Sequence, residues 1–363
     1  MSDKVNNMLV SFIIPAYNAA DTIERCLNSV YALPLKLDEF EVIMIDDCSS
    51  DNTIKVIEQY FQKVYGVKCK VYENFTLLKQ SENHRQGAAR NRGIKIAKGE
   101  FICFVDSDDA ATEGIVSAIR MAKEKDADMV AFHYGNANEE GNMTSEAKRL
   151  SFEEGQIFSG MEMQNKYPYW CSAPWPYIYR KDFLQQVNYP FVEEVLYEDS
   201  DFVVAHLYYA QRMAYSSELG YVAYYREGST TRSSNYKNVA DYLLLGTRML
   251  RFYERVAKSQ ESRVKSQEVE NEGIEKFAEG ILEGACWNVA KSCQRLVKLE
   301  NIKAVRGYYD RVDLYASRKT LSGDKRIHKY YWNLWTSLCM KHKHIAIAIL
   351  LILIPMYKIF KKS

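Results

Sequence analysis

Through the first 135 residues, short runs of apolar and β-branched positions alternate with stretches whose apolar residues recur every three to four places. The first texture suits strands covered on both faces and the second suits amphipathic helices. Their alternation predicts βαβ units around a mostly parallel sheet with helices on both faces. Leu9–Pro15 is the first predicted strand. Asp21-Thr-Ile-Glu24 reads as a capping box opening a helix that runs to about Tyr31. Glu41–Asp46 is the second strand, followed by a helix capped by Ser50 or Asp51. Val67–Tyr72 is the third strand, Gln86–Lys98 a helix ended by Gly99, Phe101–Val105 the fourth strand and Asp128–Phe132 the fifth.

The pattern changes near residue 136. From there to 236 it is irregular and aromatic, with Trp170, Trp175 and several tyrosines, and beyond Asp241 it turns helical. The expected organisation is an α/β domain over 1–236, divided at 135, a helical C-terminal region over 237–340, and a basic-apolar tail over 341–363. Ser259–Glu272 is polar enough to be a linker or a helix hairpin. In the tail, the unbroken apolar run Ile345–Ile354 is framed by Lys341, Lys343, Lys358, Lys361 and Lys362. It is shorter than the roughly 20 residues that span a bilayer. Basic flanks around such a run predict peripheral membrane association, the alternative being a buried terminal helix.

Charge and cysteines narrow the setting. Forty-eight basic residues against forty-seven acidic ones leave almost no net charge, which disfavours strong electrostatic capture of nucleic acid other than by a local basic patch. The eight cysteines are scattered without zinc spacing, and the polar opening segment lacks the apolar core of a signal peptide. Both features predict a cytoplasmic, reducing location, and with the tail, the inner face of the cell membrane. The 27 tyrosines suit hydroxyl-rich ligands, although packing accounts for most such rings.

Ligands of open α/β sheets bind at the carboxyl ends of the strands. Here strand one ends in Pro15-Ala-Tyr-Asn18, strand two in Asp46-Asp-Cys-Ser-Ser-Asp-Asn-Thr53, and strand four in Asp106-Ser-Asp-Asp109. Carboxylates gathered on one rim repel one another unless a cation or donors offset them. Oxygen ligands suit Mg²⁺ or Mn²⁺, which bind one or two carboxylates together with substrate phosphates. Asp residues also cap helices and turns, but three carboxylates in four residues at Asp106–Asp109 exceed what one cap requires. Neither GxGxxG after the first strand nor GxxxxGK[ST] is present, which disfavours dinucleotide-dependent dehydrogenases and P-loop NTPases.

The ordered motifs Ser11-Phe-Ile-Ile-Pro-Ala-Tyr-Asn18, Ile45–Thr53, Asn83 with Gly87-Ala-Ala-Arg-Asn-Arg-Gly93, Asp106–Asp109, Pro174–Leu184, Tyr197–Phe202 and Tyr225–Arg232 cover roughly residues 8–235. In that order and spacing the chain resembles a family 2 glycosyltransferase with the GT-A fold, of the type that builds bacterial surface polysaccharides. The resemblance implies an inverting transfer of a sugar from a nucleotide diphosphate donor, usually a UDP-sugar, to a saccharide or lipid-linked acceptor hydroxyl. It makes 1–135 the nucleotide-binding half and 136–236 the acceptor-shaping half. It assigns the nucleobase to Pro15, Tyr17 and Asp47, and the base and ribose to Asn83 and Arg90. Asp106 and Asp108 become the DxD pair that contacts ribose and an Mn²⁺ or Mg²⁺ ion, with Asp109 able to share either role. Arg226, Ser229 and Thr230 match a segment closing over the diphosphate.

Asp199 is the expected catalytic base, since an attacking hydroxyl must lose its proton and a positioned carboxylate can take it. Glu198 pairs with it on the acceptor side, and Trp175 is an expected platform for a sugar face, packing being the other reading. An acidic helix start also stabilises a helix without any catalysis. Two further classes compete. A sugar-phosphate nucleotidyltransferase would carry a glycine-rich, basic loop after the first strand, which Pro15–Asn18 is not. A catalytically inactive scaffold of polysaccharide assembly would have no reason to keep Asp106, Asp108 and Asp199 together.

Overall fold

Strands β1 (Val10–Ala16) and β2 (Phe40–Asp46) run parallel from Val10↔Phe40 to Ala16↔Asp46, and every residue in them is buried. Their composition explains this: near-continuous Val, Ile, Phe and Met suit strands covered on both faces. The computed structural model describes residues 8–66, 72–167 and 170–225, with single positions 241, 245, 248 and 252 beyond them. The chain divides into two compact units, Met1–Ser229 with Glu272–Ile274, and Thr230–Asn271 with Glu275–Ser363. The fold described here is that of the first.

Around the two central strands come α1 (Ile23–Tyr31), α2 (Thr53–Tyr65), β3 (Phe75–Lys79), α3 (Arg85–Ile96), β4 (Phe101–Phe104) and β5 (Ala110–Ala111). They are followed by α4 (Gly114–Glu124), β6 (Met129–Ala137), β7 (Met143–Glu146), α5 (Gly160–Lys166) and β8 (Tyr177–Arg180). Then come α6 (Lys181–Val187), α7 (Asp199–Tyr209) and β9 (Met213–Tyr224). The sheet order is β3-β2-β1-β4-β8-β6-β9-β5, with β7 added beside β6. The first half of the sheet, β3-β2-β1-β4, is parallel throughout. Beyond β4 the sheet is mixed: β8 joins β4 and β6 antiparallel, while β9 lies parallel to β6 and antiparallel to β5.

Alternation along the strands sorts the core into two layers. Phe12, Ile14, Val42 and Met44 pack on one face with Leu27 of α1, Ile57 of α2 and Ile119 of α4. Ile13, Ile43 and Ile45 pack on the other with Ala89 of α3, Phe183 of α6 and Phe202 of α7. Helices therefore cover both faces.

Some expected elements differ. The third strand is Phe75–Lys79, and Tyr72, the one described residue of the expected Val67–Tyr72 strand, lies outside it. Pairing decided this. Val42–Asp46 of β2 accepts Phe75–Lys79 in register, which local β-propensity alone does not specify. The capping box at Asp21 does not form: Thr22 occupies the N-cap and makes no side-chain cap, its hydroxyl donating instead to the Ala19 carbonyl. At α2, Asp51 lies just outside the Asn52 N-cap and accepts from Thr53 N–H at 2.9 Å. Helix α3 ends at Ile96, before Gly99, and the fifth predicted strand extends as β6 to Ala137. The expected boundaries at 236 and 340, the helical region 237–340 and the tail lie outside the described residues, four isolated positions aside.

Candidate active site

The carboxyl ends of β1, β2 and β4 open onto one rim, and the turns leaving them are laced together. Asn18 and Cys48 take left-handed backbones, φ 49° and 63°, a conformation that Asn tolerates better than most residues. The Asn18 carboxamide oxygen accepts from Ser50 N–H at 2.8 Å, while Asn18 N–H donates to Ser49 Oγ at 2.9 Å. Ala19 N–H donates to Thr53 Oγ1 at 2.7 Å. The β1 and β2 turns thus form one floor.

On that floor Asp47 is buried. One carboxylate oxygen accepts from Gln80 Nε2 at 2.6 Å and from His84 N–H at 2.8 Å. Burial pushes its pKa up, and the N–H groups of His84 and Arg85 with the Gln80 amide partly offset that. Asn83 donates to the Asp47 carbonyl at 3.2 Å, which ties the β3–α3 loop to Asp47. Tyr17 is half exposed beside this floor, and Pro15 is buried within β1, past the last β1–β4 pair Ile13↔Phe104. Pro15, Tyr17, Asp47 and Asn83 are thereby brought to one end of the sheet.

Arg90 stands differently from its expectation. Its side chain is 1% exposed. Its guanidinium donates to Asp106 Oδ1 at 2.8 Å, Glu198 Oε1 at 2.6 Å and Gln86 Oε1 at 3.2 Å. Such a group offers a base or ribose no exposed contact; it is a buried cation bridging the two acidic motifs. Burial alone would lower its pKa, but Asp106, Glu198 and Asp199 more than offset this and raise it.

Glu198 is the N-cap of α7 and Asp199 its first residue. Burial raises the Glu198 pKa to about 7, with Arg90 opposing and Asp199 adding to the rise. Half-buried Asp199 is also raised, chiefly by desolvation, with Arg90 and its own helix-start N–H groups pulling the other way and Asp106 adding. A carboxylate so placed is a better proton acceptor than a solvated one.

The Asp106–Asp109 turn resolves which acids are available. Asp109 is buried, with Oδ2 accepting from the Tyr221 hydroxyl at 2.7 Å and Oδ1 from Tyr224 N–H at 2.8 Å. Its pKa is driven well up by burial and by its neighbours Asp108 and Asp106. Both oxygens being engaged by β9, Asp109 is a fastening rather than a shared ligand, which corrects the dual role open to it in sequence. Asp106 and Asp108 remain half-buried, and Arg25 holds the turn through the Asp108 carbonyl at 2.5 Å. Among the described residues no group of three or more His, Cys, Asp or Glu side chains is placed to hold a metal ion. The two half-buried acids do fit an ion completed by donor phosphates, since Mg²⁺ and Mn²⁺ take few protein oxygens in such sites.

Trp175 lies face to face on Tyr221, centroids 4.4 Å apart at 6°, and edge-on to Tyr134 at 4.8 Å. Arg226, Ser229 and Thr230 lie outside the described residues. Gln80, Arg25 and Tyr221 were not singled out in the sequence. They touch the site from 33, 83 and 115 positions away from their partners, with no local pattern to mark them.

A parallel half-sheet with an acidic rim, continued by a mixed half that carries a second acidic pair at α7, defines the GT-A class of fold. Residues 11–187 match the model of glycosyl transferase family 2, which marks that segment as one of the family's. It is 37% identical over 124 residues to poly(ribitol-phosphate) beta-glucosyltransferase of Bacillus spizizenii, covering 34% of this chain and 18% of that one. It is 29% identical over 237 residues to poly(ribitol-phosphate) beta-N-acetylglucosaminyltransferase TarS of Staphylococcus aureus, covering 65% of this chain and 39% of the relative. The chain thus spans well under two thirds of the length of these relatives. The crystal structure of S. aureus TarS 1-349 in complex with UDP-GlcNAc superposes with a TM-score of 0.55 at 22% identity, covering 79% of this chain and 83% of that one. That likeness is one of fold.

Proposed function

We propose that the chain transfers a sugar from a UDP-linked donor to an acceptor hydroxyl of a bacterial cell-surface polymer or glycolipid, with inversion. The observation that carries this is the buried Arg90 bridge, which joins Asp106 on the donor rim to Glu198 beside Asp199. The named relatives act on poly(ribitol-phosphate), and TarS is described with UDP-GlcNAc, which supports the substrate classes.

In this reading Asp47, its orientation set by Gln80 and the His84 N–H, accepts from a nucleobase N–H above the Pro15–Tyr17 floor. Asp106 contacts ribose. Asp106 and Asp108 would hold Mg²⁺ or Mn²⁺, which when bound offsets the charge of the diphosphate. Asp199 takes the acceptor proton as that oxygen attacks the anomeric carbon; the bond to the leaving phosphate oxygen breaks and its electron pair leaves with UDP. Attack opposite the leaving group inverts the centre. Trp175 offers an apolar face to the acceptor, and Arg226 with Ser229 closes over the diphosphate. The tail 341–363 keeps the enzyme at the inner face of the cell membrane; no helix among the described residues is long and apolar enough to cross one.

The test is release of nucleoside diphosphate from a panel of sugar nucleotides with Mn²⁺, Mg²⁺ or EDTA. Turnover of one donor, abolished by EDTA and lowered by at least about 10²-fold in Asp108→Asn, is the expected result. A scaffold would release nothing from any donor, and a nucleotidyltransferase would instead consume pyrophosphate with the nucleotide sugar, releasing nucleoside triphosphate and sugar 1-phosphate.

A further inference from the structure

Tyr221 is fully buried on β9 and reaches two parts of the candidate site that are far apart in the chain, the Asp106–Asp109 turn and Trp175. Its hydroxyl accepts from Asp106 N–H at 3.0 Å. A phenol has a single proton, so that proton is directed to Asp109 Oδ2, 2.7 Å away. Three residues on, Tyr224 N–H donates to the other oxygen of Asp109. Asp109 N–H returns to the Asp106 carbonyl at 3.1 Å, closing the turn. Asp106 and Asp108 therefore hang on a turn whose start and end are both fastened to β9 through one hydroxyl. The ring of the same tyrosine lies flat on Trp175, 4.4 Å away at 6°.

Each tie has a physical consequence. Asp109 is a carboxylate in a water-poor place, and removing one of its donors leaves an oxygen without a partner, which is costlier than the hydrogen bond is strong. The turn would then shift to find other partners, carrying Asp106 and Asp108 with it. A flat ring stack constrains tilt as well as distance, so the attitude of Trp175 depends on the same ring. Edge-on packing against Tyr134 limits Trp175 from another side.

We infer that Tyr221 is a positioning residue that sets the Asp106–Asp109 turn and the Trp175 face in one register, linking the donor side of the site to its acceptor side. Resting on the transferase reading, this adds to it a residue that touches neither substrate. It makes the donor turn sensitive to what leans on Trp175, through a ring and a hydroxyl rather than through the backbone.

The experiment compares wild type, Tyr221→Phe and Trp175→Ala with two probes. The first is hydrogen exchange of the peptide spanning 105–111 without nucleotide, which does not depend on any assigned activity. The second is calorimetric binding of UDP in the presence of Mn²⁺. Tyr221→Phe keeps the ring and its stack but deletes the hydroxyl. Exchange in 105–111 should quicken at least tenfold, UDP affinity should fall five- to twentyfold, and exchange in β1 and β2 should stay unchanged. Trp175→Ala, which leaves the hydroxyl bonds in place, should quicken the same peptide two- to fivefold. Unchanged exchange in 105–111 for Tyr221→Phe overturns the fastening. A response to Tyr221→Phe with none to Trp175→Ala overturns the link between the two sides. Quickening spread evenly over the whole sheet marks a merely structural role and also overturns the inference. If wild type binds no UDP while the exchange pattern appears as expected, the transferase reading fails and the positioning role of Tyr221 in this turn stands.

Discussion

At the scale of single residues, environment rather than identity separates the acids of this site. Asp106, Asp108 and Asp109 look equivalent in sequence, yet Asp109 has both oxygens bonded to β9 while Asp106 shares Arg90 with Glu198. Arg90 stabilises charges that would otherwise be costly to bury, and its loss would leave Glu198 uncompensated. Asp199 is the acid whose raised pKa and incomplete burial suit proton transfer. Replacing it, Asp199→Asn, should lower kcat by about 10²–10⁴-fold while UDP affinity measured calorimetrically stays unchanged. The wild-type pH profile carries a sign. The base works only when deprotonated, so kcat should rise with pH along an acid limb displaced above the ordinary aspartate range. Burial, which disfavours the carboxylate, is the main cause, and Arg90 limits the displacement. A limb at ordinary aspartate pH would remove Asp199 from that role.

At the scale of elements, the site depends on how closely α3 approaches its neighbours. A Cβ on Gly87 would sit 2.3 Å from the Val192 carbonyl oxygen and 3.1 Å from Glu198 Cγ. One on Gly93 would first meet the Ile13 side chain, at 2.4 Å. Backbone yields less readily than a side chain tip, so Gly87→Ala must push the 192–198 segment away from α3 and with it the Glu198–Arg90 pair. The expected cost in urea unfolding is about 1–3 kcal/mol, accompanied by a loss of turnover larger than the loss of folded protein explains. Equal losses of both would show that the close approach serves packing alone. Strands β1, β2 and β4 were legible because their apolar runs are nearly continuous, and the turns leaving β2 and β4 are rich in acids. β3 was not, because its burial pattern is mixed and only the pairing Val42↔Phe75 to Asp46↔Lys79 singles it out. That pairing matters to the site: it delivers Gln80, the residue after the strand, to Asp47.

For the whole molecule, the family domain and the remainder of the chain pose separate questions. The family 2 match covers residues 11–187, and the TarS likeness, one of fold, covers 79% of the chain. The tail makes its own prediction. Deleting residues 342–363 should move the protein from the membrane to the soluble fraction on centrifugation, and a truncated protein that stays with membranes would place the attachment elsewhere. The amino-acid sequence by itself determined the α/β layering and the acidic rim at the strand ends. It also carried the family motifs that point to Asp47, Asp106, Asp108 and Asp199, because periodicity and turn chemistry are local and are written within a few positions. Only the tertiary structure decided what each acid does. The partners of the Asp109 side chain that set it apart, Tyr221 and Tyr224, lie 112 and 115 residues away on β9, and the cation that Asp106 shares with Glu198 reaches the latter across 108 residues. Hydrogen-bond geometry and desolvation at such separations arise from packing, which no local pattern encodes.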